Sequence, residues 1–350
     1  MPMTFEPRLD ARTAPLLALL CCVQGLLPTA ASADEKISVD ALPMRPVISN
    51  PSPERNWFQA RFGLTWDELA ANYSVEEVDQ FLQRWRSTYP DDPEAWISSA
   101  NWNRQQSQQS MLHSSTAELG VFVTEPGPEG SVGLRRPDDQ ESGFISGGIH
   151  TDEPRLSAAL RLFQEAQERF PYRVDVYDNL ANFYFTLGRY EKQLDTLRTM
   201  TQAIRETDRD LEWINYQTLR VSKEEVLFNS FHYAANDLYQ VDSEAALDAN
   251  LELALLMTQT LPNNSIAWNN LVVAHERLGN KMGAYQAAQK AYEIDPNDEI
   301  IVINLAKYCI ELGFNEEAIR HYRWIIRNSD NPEFRETARA DLELLGAPLE

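Results

Sequence analysis

Apolar residues recur in the C-terminal third of the chain at a fixed offset of 34 residues. Within each copy they are spaced at i, i+3 and i+7 on both sides of a Leu-Gly pair. This spacing predicts two amphipathic helices joined by a tight turn at the glycine, with a proline to end the second helix. The pairs that define the offset are Pro262 and Pro296, Leu271 and Leu305, Gly279 and Gly313, and Ala284 and Ala318.

Two earlier segments follow the same template, with Tyr177 and Trp96 leading the first helix of each unit. The helix that begins near Trp96 is expected to run to about Ser110, whereas its partner helix starts only near Arg155. The pattern therefore predicts that residues 111–153 are inserted inside one repeat.

This insert differs in composition from the rest of the chain. It contains seven of the 14 glycines and eight acidic residues against two arginines, a composition unfavourable for a stable helix. We predict an irregular segment in which 120–124 and 131–134 form a short hairpin around a Pro/Gly turn. Its apolar and basic residues are expected to dock on a partner or on the helices, and these are Phe122, Arg135, Arg136, Phe144 and Ile145.

Residues 205–261 have a helical spacing that does not keep the 34-residue frame, and they are predicted to form degenerate helical repeats. Residues 331–350 are predicted to be a capping helix and tail, since Phe334, Ala338 and Leu342 suit a helix that covers the last open face. The residues that carry the helical spacing in 205–261 are Trp213, Tyr216, Leu219, Leu227, Phe231, Ala234 and Leu238.

The repeated unit resembles the tetratricopeptide repeat, whose pattern is W-x2-L-G-x2-Y, then A-x3-F, then proline. The resemblance implies an all-α, right-handed helical solenoid, here with a long irregular insert inside one repeat. It also implies that Trp268 is buried between its own repeat and the preceding second helix. The expected order is a signal peptide at 1–33, a Pro-rich tether at 34–56, N-terminal helices at 57–110, the insert at 111–153, repeat helices at 154–204, degenerate repeats at 205–261, two clear units at 262–330, and the cap at 331–350.

The resemblance further implies a concave groove, lined by the first helices, that binds protein segments. Some family members hold a partner's C-terminal carboxylates with Lys and Asn, but Asp178 stands at the lysine position here, so that clamp is not expected. Exposed Phe185, Ile303 and Ile310 would favour a groove that closes on a partner. The predicted groove residues are Glu94, Ile97, Asn101, Arg104, Asp175, Asp178, Asn182, Phe185, Asn269, Val273, Glu276, Ile303, Lys307 and Ile310.

The N-terminus has the layout of a secretory signal peptide. Arg8 and Arg12 precede an apolar run at 16–27, and small residues at 31–33 suit cleavage before Asp34. We therefore expect export to the periplasm of a Gram-negative bacterium. The alternative is an uncleaved signal that anchors the protein in the membrane, because residues 13–33 carry no charge.

Composition and charge argue against several classes of function. Hydrophobic residues make up 43% of the chain, which is ample for a packed core, while the net charge of −22 opposes binding to nucleic acid or to anionic membranes. No phosphate-binding loop, nucleophile motif or converging set of metal ligands is present in the sequence, so we expect no catalytic residues, no metal and no cofactor. Cleavage would leave Cys309 as the one thiol, expected in the core.

These observations favour a non-enzymatic scaffold that binds protein partners in the cell envelope. Two alternatives stay open. In the first, the 111–153 insert packs against the solenoid and forms a small-ligand or enzyme site. In the second, the protein is a structural subunit of an envelope assembly or export machine.

Overall fold

The computed structural model describes residues 38–42, 57–114, 123–126, 131–135 and 142–348. The predicted signal peptide at 1–33 lies outside the described residues, as does most of the predicted tether. Residues 38–42 of that tether include a turn of 3-10 helix at Val39–Ala41. Leu42 is buried in the N-terminal core, and its carbonyl oxygen accepts a 3.2 Å hydrogen bond from Arg84.

The described chain is mostly α-helical. Its helices are α1 Trp57–Phe62, α2 Trp66–Asn72, α3 Val75–Thr88, α4 Pro93–Ser107, α5 Glu153–Arg169, α6 Val174–Thr186, α7 Tyr190–Glu206, α8 Lys223–Tyr239, α9 Glu244–Thr260, α10 Ser265–Arg277, α11 Lys281–Ile294, α12 Glu299–Glu311, α13 Asn315–Asn328 and α14 Pro332–Leu344. Its strands are β1 Gln108–Ser114, β2 Val123–Pro126, β3 Ser131–Arg135, β4 Ser142–Thr151, β5 Glu212–Trp213 and β6 Gln217–Thr218.

Consecutive helices pack as pairs, and the pairs stack into an all-α solenoid, as predicted. The first helices are α4, α6, α8, α10 and α12, and neighbours such as α10 and α12 contact each other, with Asn304 donating to Asn269 at 3.0 Å. The second helices form the other layer, where Arg198 of α7 pairs with Glu252 of α9 at 3.0 Å. Helix α14 covers the last pair with Ala338 and the buried Leu342. We call the surface formed by the first helices the first-helix face.

The predicted tight turns are confirmed. Gly188, Gly279 and Gly313 follow α6, α10 and α12 with φ of 67°, 70° and 80°, in the left-handed region that favours glycine. After α10, the Gly279 amide donates to Glu276 and the Asn280 amide donates to His275. This pair of bonds is a Schellman motif, which satisfies helix-end carbonyl groups, and the same bonds recur after α6 and α12.

Prolines and aromatic residues of the repeat are joined by a recurrent hydrogen bond. The indole nitrogen of Trp96 donates to the carbonyl oxygen of Pro90 at 2.9 Å, and that of Trp268 donates to Pro262 at 2.8 Å. The Tyr177 hydroxyl reaches its own proline in the same way. Burial differs between the sites, because Tyr177 is buried whereas Trp268 is only half-buried, so the expectation of a buried Trp268 was wrong.

The insert is more regular than its sequence indicated. Helix α4 ends at Ser107 rather than near Ser110, and β1 begins at the next residue. Strands β1 to β4 form an antiparallel sheet in the order β1-β4-β3-β2, which includes a β2–β3 hairpin close to the predicted one. The Asp152 amide donates to Ser107 at 2.9 Å and closes the base of the sheet. Glycine disfavours helix, while Val, Ile and Phe favour strands, so this composition suits a sheet.

Trp213, Tyr216 and Leu219, predicted to be helical, lie outside any α-helix. Residues 212–218 instead form a short hairpin of β5 and β6, which we call the 212–218 hairpin. Asn215 and Tyr216 at its tip have φ of 60° and 59°, which no α-helix allows. The helical residues predicted downstream do lie on α8, where Leu227, Phe231, Ala234 and Leu238 are buried. The hairpin therefore lengthens the connection from α7 to α8 and breaks the 34-residue frame.

Candidate functional site

A polar cleft of about 640 Å³ lies between α4 and α6 on the first-helix face. The lining comes from the C-terminal half of α4 and from the middle and C-terminal part of α6. Three of its residues, Asn101, Arg104 and Asn182, are among the predicted groove residues. The full lining is Asn101, Arg104, Gln105, Asn179, Asn182, Phe183 and Thr186.

Arg104 is the cation of this cleft. Its Nη1 donates to Asn182 Oδ1 at 3.4 Å, and its guanidinium carbon lies 5.7 Å from the centre of the Phe183 ring. Burial lowers the pKa of the Arg104 guanidinium below its ordinary value, because the charged form is partly removed from water. Within the described residues Arg104 forms no salt bridge. The hydrogen bond to Asn182 is long, so it holds the side chain weakly.

Asn182 connects three successive first helices. Its side-chain amide accepts from Arg104 of α4 and donates to Asp237 Oδ2 of α8 at 3.5 Å. Both bonds are at the outer limit of hydrogen-bond length, so a ligand with better geometry can replace either of them at small cost. The centre of the cleft therefore offers an amide between a cation and an anion.

Asp178 lies one helical turn before Asn182, half-buried between α6 and α8. Burial raises the pKa of the Asp178 carboxyl to about 7, a hydrogen bond with Ser230 lowers it in part, and the Asp175 charge adds to the rise. Asp178 therefore changes charge near neutral pH, and Asp175 and Ser230 are the groups that tune it.

Three predicted groove residues are not on the surface at all. Glu94 and Ile97 of α4 and Asp175 of α6 are buried, with 3%, 4% and 0% of their surface exposed. Arg173, at the start of α6, pairs with Glu94 at 2.7 Å and with Asp175 at 2.7 Å, which explains why both carboxylates are inside. A partner cannot contact these residues, so their assignment to the groove was wrong.

A second set of polar groups adjoins this one. Arg61 pairs with Asp92 at 2.5 Å, the Trp85 indole donates to Asp92 at 2.7 Å, and the Tyr216 hydroxyl donates to the same carboxylate. The backbone amide of Asn215 donates to Glu94 Oε1 at 2.8 Å. We call these groups together the Arg173 network, and its members are Arg61, Trp85, Asp92, Glu94, Arg173, Asp175, Asn215 and Tyr216.

The network joins α1, α4 and α6 to the tip of the 212–218 hairpin. Burial raises the pKa of the Glu94 carboxyl, against the pull of Arg173. Burial also acts to lower the pKa of the Arg173 guanidinium, but its two carboxylate partners outweigh that and raise it above its ordinary value. No sequence pattern predicts this network, because its members are polar residues far apart in the chain.

The C-terminal groove residues are placed differently. Lys307 pairs with Glu276 at 2.5 Å on the exposed surface, and Asn269 accepts from Asn304. Ile303 and Ile310 are half-buried against the core, as is Phe185, whose ring lies 6.0 Å from Tyr190. Val273 is also half-buried. The three large apolar residues are thus partly covered rather than fully exposed, and their role in a groove stays a prediction.

The remaining site predictions concern the insert. Phe122 and Arg136 lie outside the described residues. Arg135 lies in β3, and Phe144 and Ile145 lie in β4. The docking role of these five residues stays a prediction.

Two further points concern metal ligands and membrane spans among the described residues. In the described part of the chain, no group of three or more His, Cys, Asp or Glu is arranged to hold a metal ion. None of the helices described is both long and apolar enough to cross a membrane. Cys309 is buried in the C-terminal core, and burial raises the pKa of its thiol to about 12, so it stays protonated at neutral pH.

Comparison with known proteins identifies the repeat. Residues 242–299 match the tetratricopeptide repeat family. No curated protein matches the chain. Together with the two-helix units and the Gly turns, the match supports the tetratricopeptide repeat as the repeated unit of this solenoid.

Solved structures with detectable similarity include proteins described as tetratricopeptide repeat proteins. TTC0263 of Thermus thermophilus is 17% identical, with 55% of this chain and 92% of that one covered, at a TM-score of 0.31. YrrB, described as a TPR protein with an unusual peptide-binding site, is 12% identical over 74% of this chain and 97% of its own, at a TM-score of 0.36. MamA from Desulfovibrio magneticus RS-1 is 14% identical over 51% of this chain and 90% of its own, at a TM-score of 0.31.

Proposed function

We propose that this protein is a non-enzymatic scaffold of the bacterial cell envelope that binds an extended segment of a partner protein in the cleft between α4 and α6. The tetratricopeptide repeat fold is one that serves protein–protein interaction. The observation that carries the proposal is the polar lining of this cleft, whose own hydrogen bonds are long and therefore easily exchanged.

The cleft suits a peptide better than a small apolar ligand. Its lining supplies amide groups from Asn101, Gln105, Asn179 and Asn182, which can both donate to and accept from a peptide backbone. Typical small-molecule pockets are instead mainly apolar with a few polar groups. An extended segment presents an amide and a carbonyl at every residue, so its chemistry matches this lining.

Site-specific photo-crosslinking in the native host tests the proposal. A photoreactive residue at Gln105, which is exposed and lines the cleft, should give discrete crosslinked protein species. The matched control is Gln202, also exposed, which lines a smaller cleft of about 400 Å³ between the second helices α7 and α9. Crosslinking at Gln202 alone, or equally at both positions, would contradict a role for the α4–α6 cleft.

The envelope location is supported by the signal-peptide layout of residues 1–33. Fusing residues 1–40 to a reporter that is active only outside the cytoplasm should give activity. The N-terminus of the mature protein should be Asp34. An intact Met1 terminus in the membrane fraction would instead indicate an uncleaved anchor.

The sheet formed by β1 to β4 tests whether recognition depends on the insert. Gln108 and Thr151 are paired neighbours at its base, so a short Gly/Ser turn can replace residues 109–150 without moving α4 or α5. We expect unchanged helix content and melting, and loss of the Gln105 crosslinks. Retained crosslinks would assign recognition to the cleft alone, and unfolding of the neighbouring helices would make the sheet structural.

A further inference from the structure

Residues 38–42 form a short segment that binds against α3. A single 3-10 turn spans Val39–Ala41 within it. Arg84 of α3 donates to this segment from both terminal nitrogens of its guanidinium. One bond goes to the carbonyl oxygen of Asp40, and the other goes to that of Leu42 at 3.2 Å. The guanidinium therefore binds the two carbonyl groups at the end of the turn.

Leu42 is the apolar anchor of the segment. Only 6% of its surface is exposed, and it belongs to the core cluster that contains Phe58 of α1 and Trp85 of α3. Asp40 and Ala41 are exposed by contrast. The site on α3 thus has two parts, an apolar socket that takes one leucine and a guanidinium that binds the turn before it. We call the socket under Leu42 together with Arg84 the Leu42 site.

The contacts of residues 38–42 are few for the number of residues that they order. Burial of one leucine and hydrogen bonds to one half-buried guanidinium favour docking, while fixing the backbone of five residues opposes it by a similar amount. The Arg84–Asp40 ion pair, at 3.8 Å, adds little because the Asp40 side chain is 79% exposed. The docked and released states are therefore close in free energy, and the segment can leave its site while the helices stay folded.

The connection from Leu42 to α1 keeps a released segment near its own site. Phe58, at the start of α1, has its ring centre 5.9 Å from that of Trp85, which is the neighbour of Arg84. Both ends of residues 43–56 therefore lie near the same part of α3. A connection of this length gives the released segment a local concentration of roughly millimolar order at its site. A competing segment must match the chemistry of residues 38–42 in order to displace them.

We propose that the Leu42 site is a second docking site for linear protein segments, closed in the free protein by the chain's own residues 38–42. It takes a segment in which a turn places two carbonyl groups on Arg84 and the leucine directly after that turn enters the N-terminal core. The site goes beyond the proposed function, because it lies on α3 and shares no residue with the α4–α6 cleft. Residues 38–42 act there as an autoinhibitory segment that a partner displaces.

A synthetic peptide of residues 36–44, with a photoreactive group at the exposed position 41, tests the proposal on the full chain. Its crosslinks, located by mass spectrometry, should fall on α3. The Leu42→Asp variant should be labelled several-fold more, because a carboxylate does not stay in the apolar socket and the chain's own segment is released. A peptide with alanine in place of its leucine should bind about 50-fold more weakly, the loss expected for three buried carbon atoms.

Two arginines of α3 provide a matched pair of variants. Arg84→Gln removes the guanidinium that binds the turn, so labelling by the peptide should fall about tenfold. Arg86 lies two residues further on, with its guanidinium carbon 5.9 Å from the centre of the Trp96 ring. Arg86→Gln should leave the labelling within about twofold of the wild type. Equal losses in the two variants would indicate a general effect of charge and overturn the site.

The remaining outcomes separate the site from its inhibition. Labelling of Leu42→Asp but not of the wild type, at any peptide concentration, makes residues 38–42 a permanent part of the fold and overturns displacement. Equal labelling by the leucine and alanine peptides, or labelling confined to helices after α4, overturns the site itself. None of these results bears on the cleft, which the Gln105 crosslinks test. Melting curves verify folding, and if Leu42→Asp does not fold, the two peptides on the wild type decide.

Discussion

The N-terminal and C-terminal parts of the solenoid differ in where their ion pairs lie. From α1 to α6, with the 212–218 hairpin, ion pairs such as Arg173 with Asp175 are fully buried. From α10 to α14, pairs such as Lys307 with Glu276 lie on the surface, where both side chains are nearly half exposed. The repeat keeps its 34-residue frame only in the C-terminal part. In this molecule the regular part carries its ion pairs at the surface, whereas the interrupted part buries some of them and also contains the cleft.

The regular part, from α10 to α14, joins its repeat units mainly by apolar packing. Its core is built largely from small residues such as Ala284, Ala288 and Ala318, which allow close helix packing. Among the described residues of this part, no fully buried ion pair fixes the angle between units. In the N-terminal part the same angle is fixed by the Arg173 network, which includes residues outside the repeat. The cleft opens at the other end of the same two helices, α4 and α6.

The largest expected loss of stability comes from breaking the Arg173 network. Arg173→Ala should destabilise the protein by about 3–5 kcal/mol, because it leaves Glu94 and Asp175 buried without a cation. Chemical denaturation measures the loss, with Arg198→Ala on the second-helix surface as the control. A loss below about 1 kcal/mol would show that the N-terminal part does not depend on its buried charge.

Asp178 predicts a dependence of stability on pH in the range up to neutral pH. Its pKa is about 7 in the folded chain against 3.8 for the ordinary group, so its contribution to stability is present below pH 3.8 and is lost as pH rises to about 7. Asp178→Asn should therefore stabilise the protein by up to about 4 kcal/mol at pH 8 and have little effect at pH 4. Melting temperatures at both pH values measure this, and an equal shift at the two would refute the raised pKa.

The Gly turns are alike in the N-terminal and C-terminal parts, so they test whether the two parts differ only in their charges. Gly279→Ala and Gly188→Ala should each cost about 1–2 kcal/mol, the cost of a left-handed backbone for alanine. Added methyl groups would meet nothing within 4 Å at either site, so no steric clash contributes. Denaturation midpoints that differ strongly between the two variants would mean that the turns do not have a common role.

The smallest effect is expected at the exposed ion pair. Lys307→Ala should cost less than about 1 kcal/mol, since solvent screens the Lys307–Glu276 pair and both side chains lose freedom on pairing. The same denaturation experiment measures it beside Arg173→Ala. A comparable loss in the two variants would remove the contrast between buried and surface charge.

The sequence by itself determined the local parts of this protein. The helix pairs and their Gly turns depend on residues within one unit, so their spacing alone predicted them. The signal peptide, the envelope location and the docking role of the insert stay predictions. Among the cleft residues, Asn101, Arg104 and Asn182 were predicted because they occupy groove positions of the repeat template, whereas Gln105, Asn179, Phe183 and Thr186 were missed.

Tertiary structure alone decided which polar residues are buried and which remain at the surface. Glu94 and Asn215 are 121 residues apart, yet their contact fixes the 212–218 hairpin and takes a predicted groove residue into the core. No local pattern marks such a contact, because a polar residue on a helix is compatible with either water or a buried partner. Burial depends on which distant segment covers each face, and that is a property of the packed chain rather than of any stretch of its sequence.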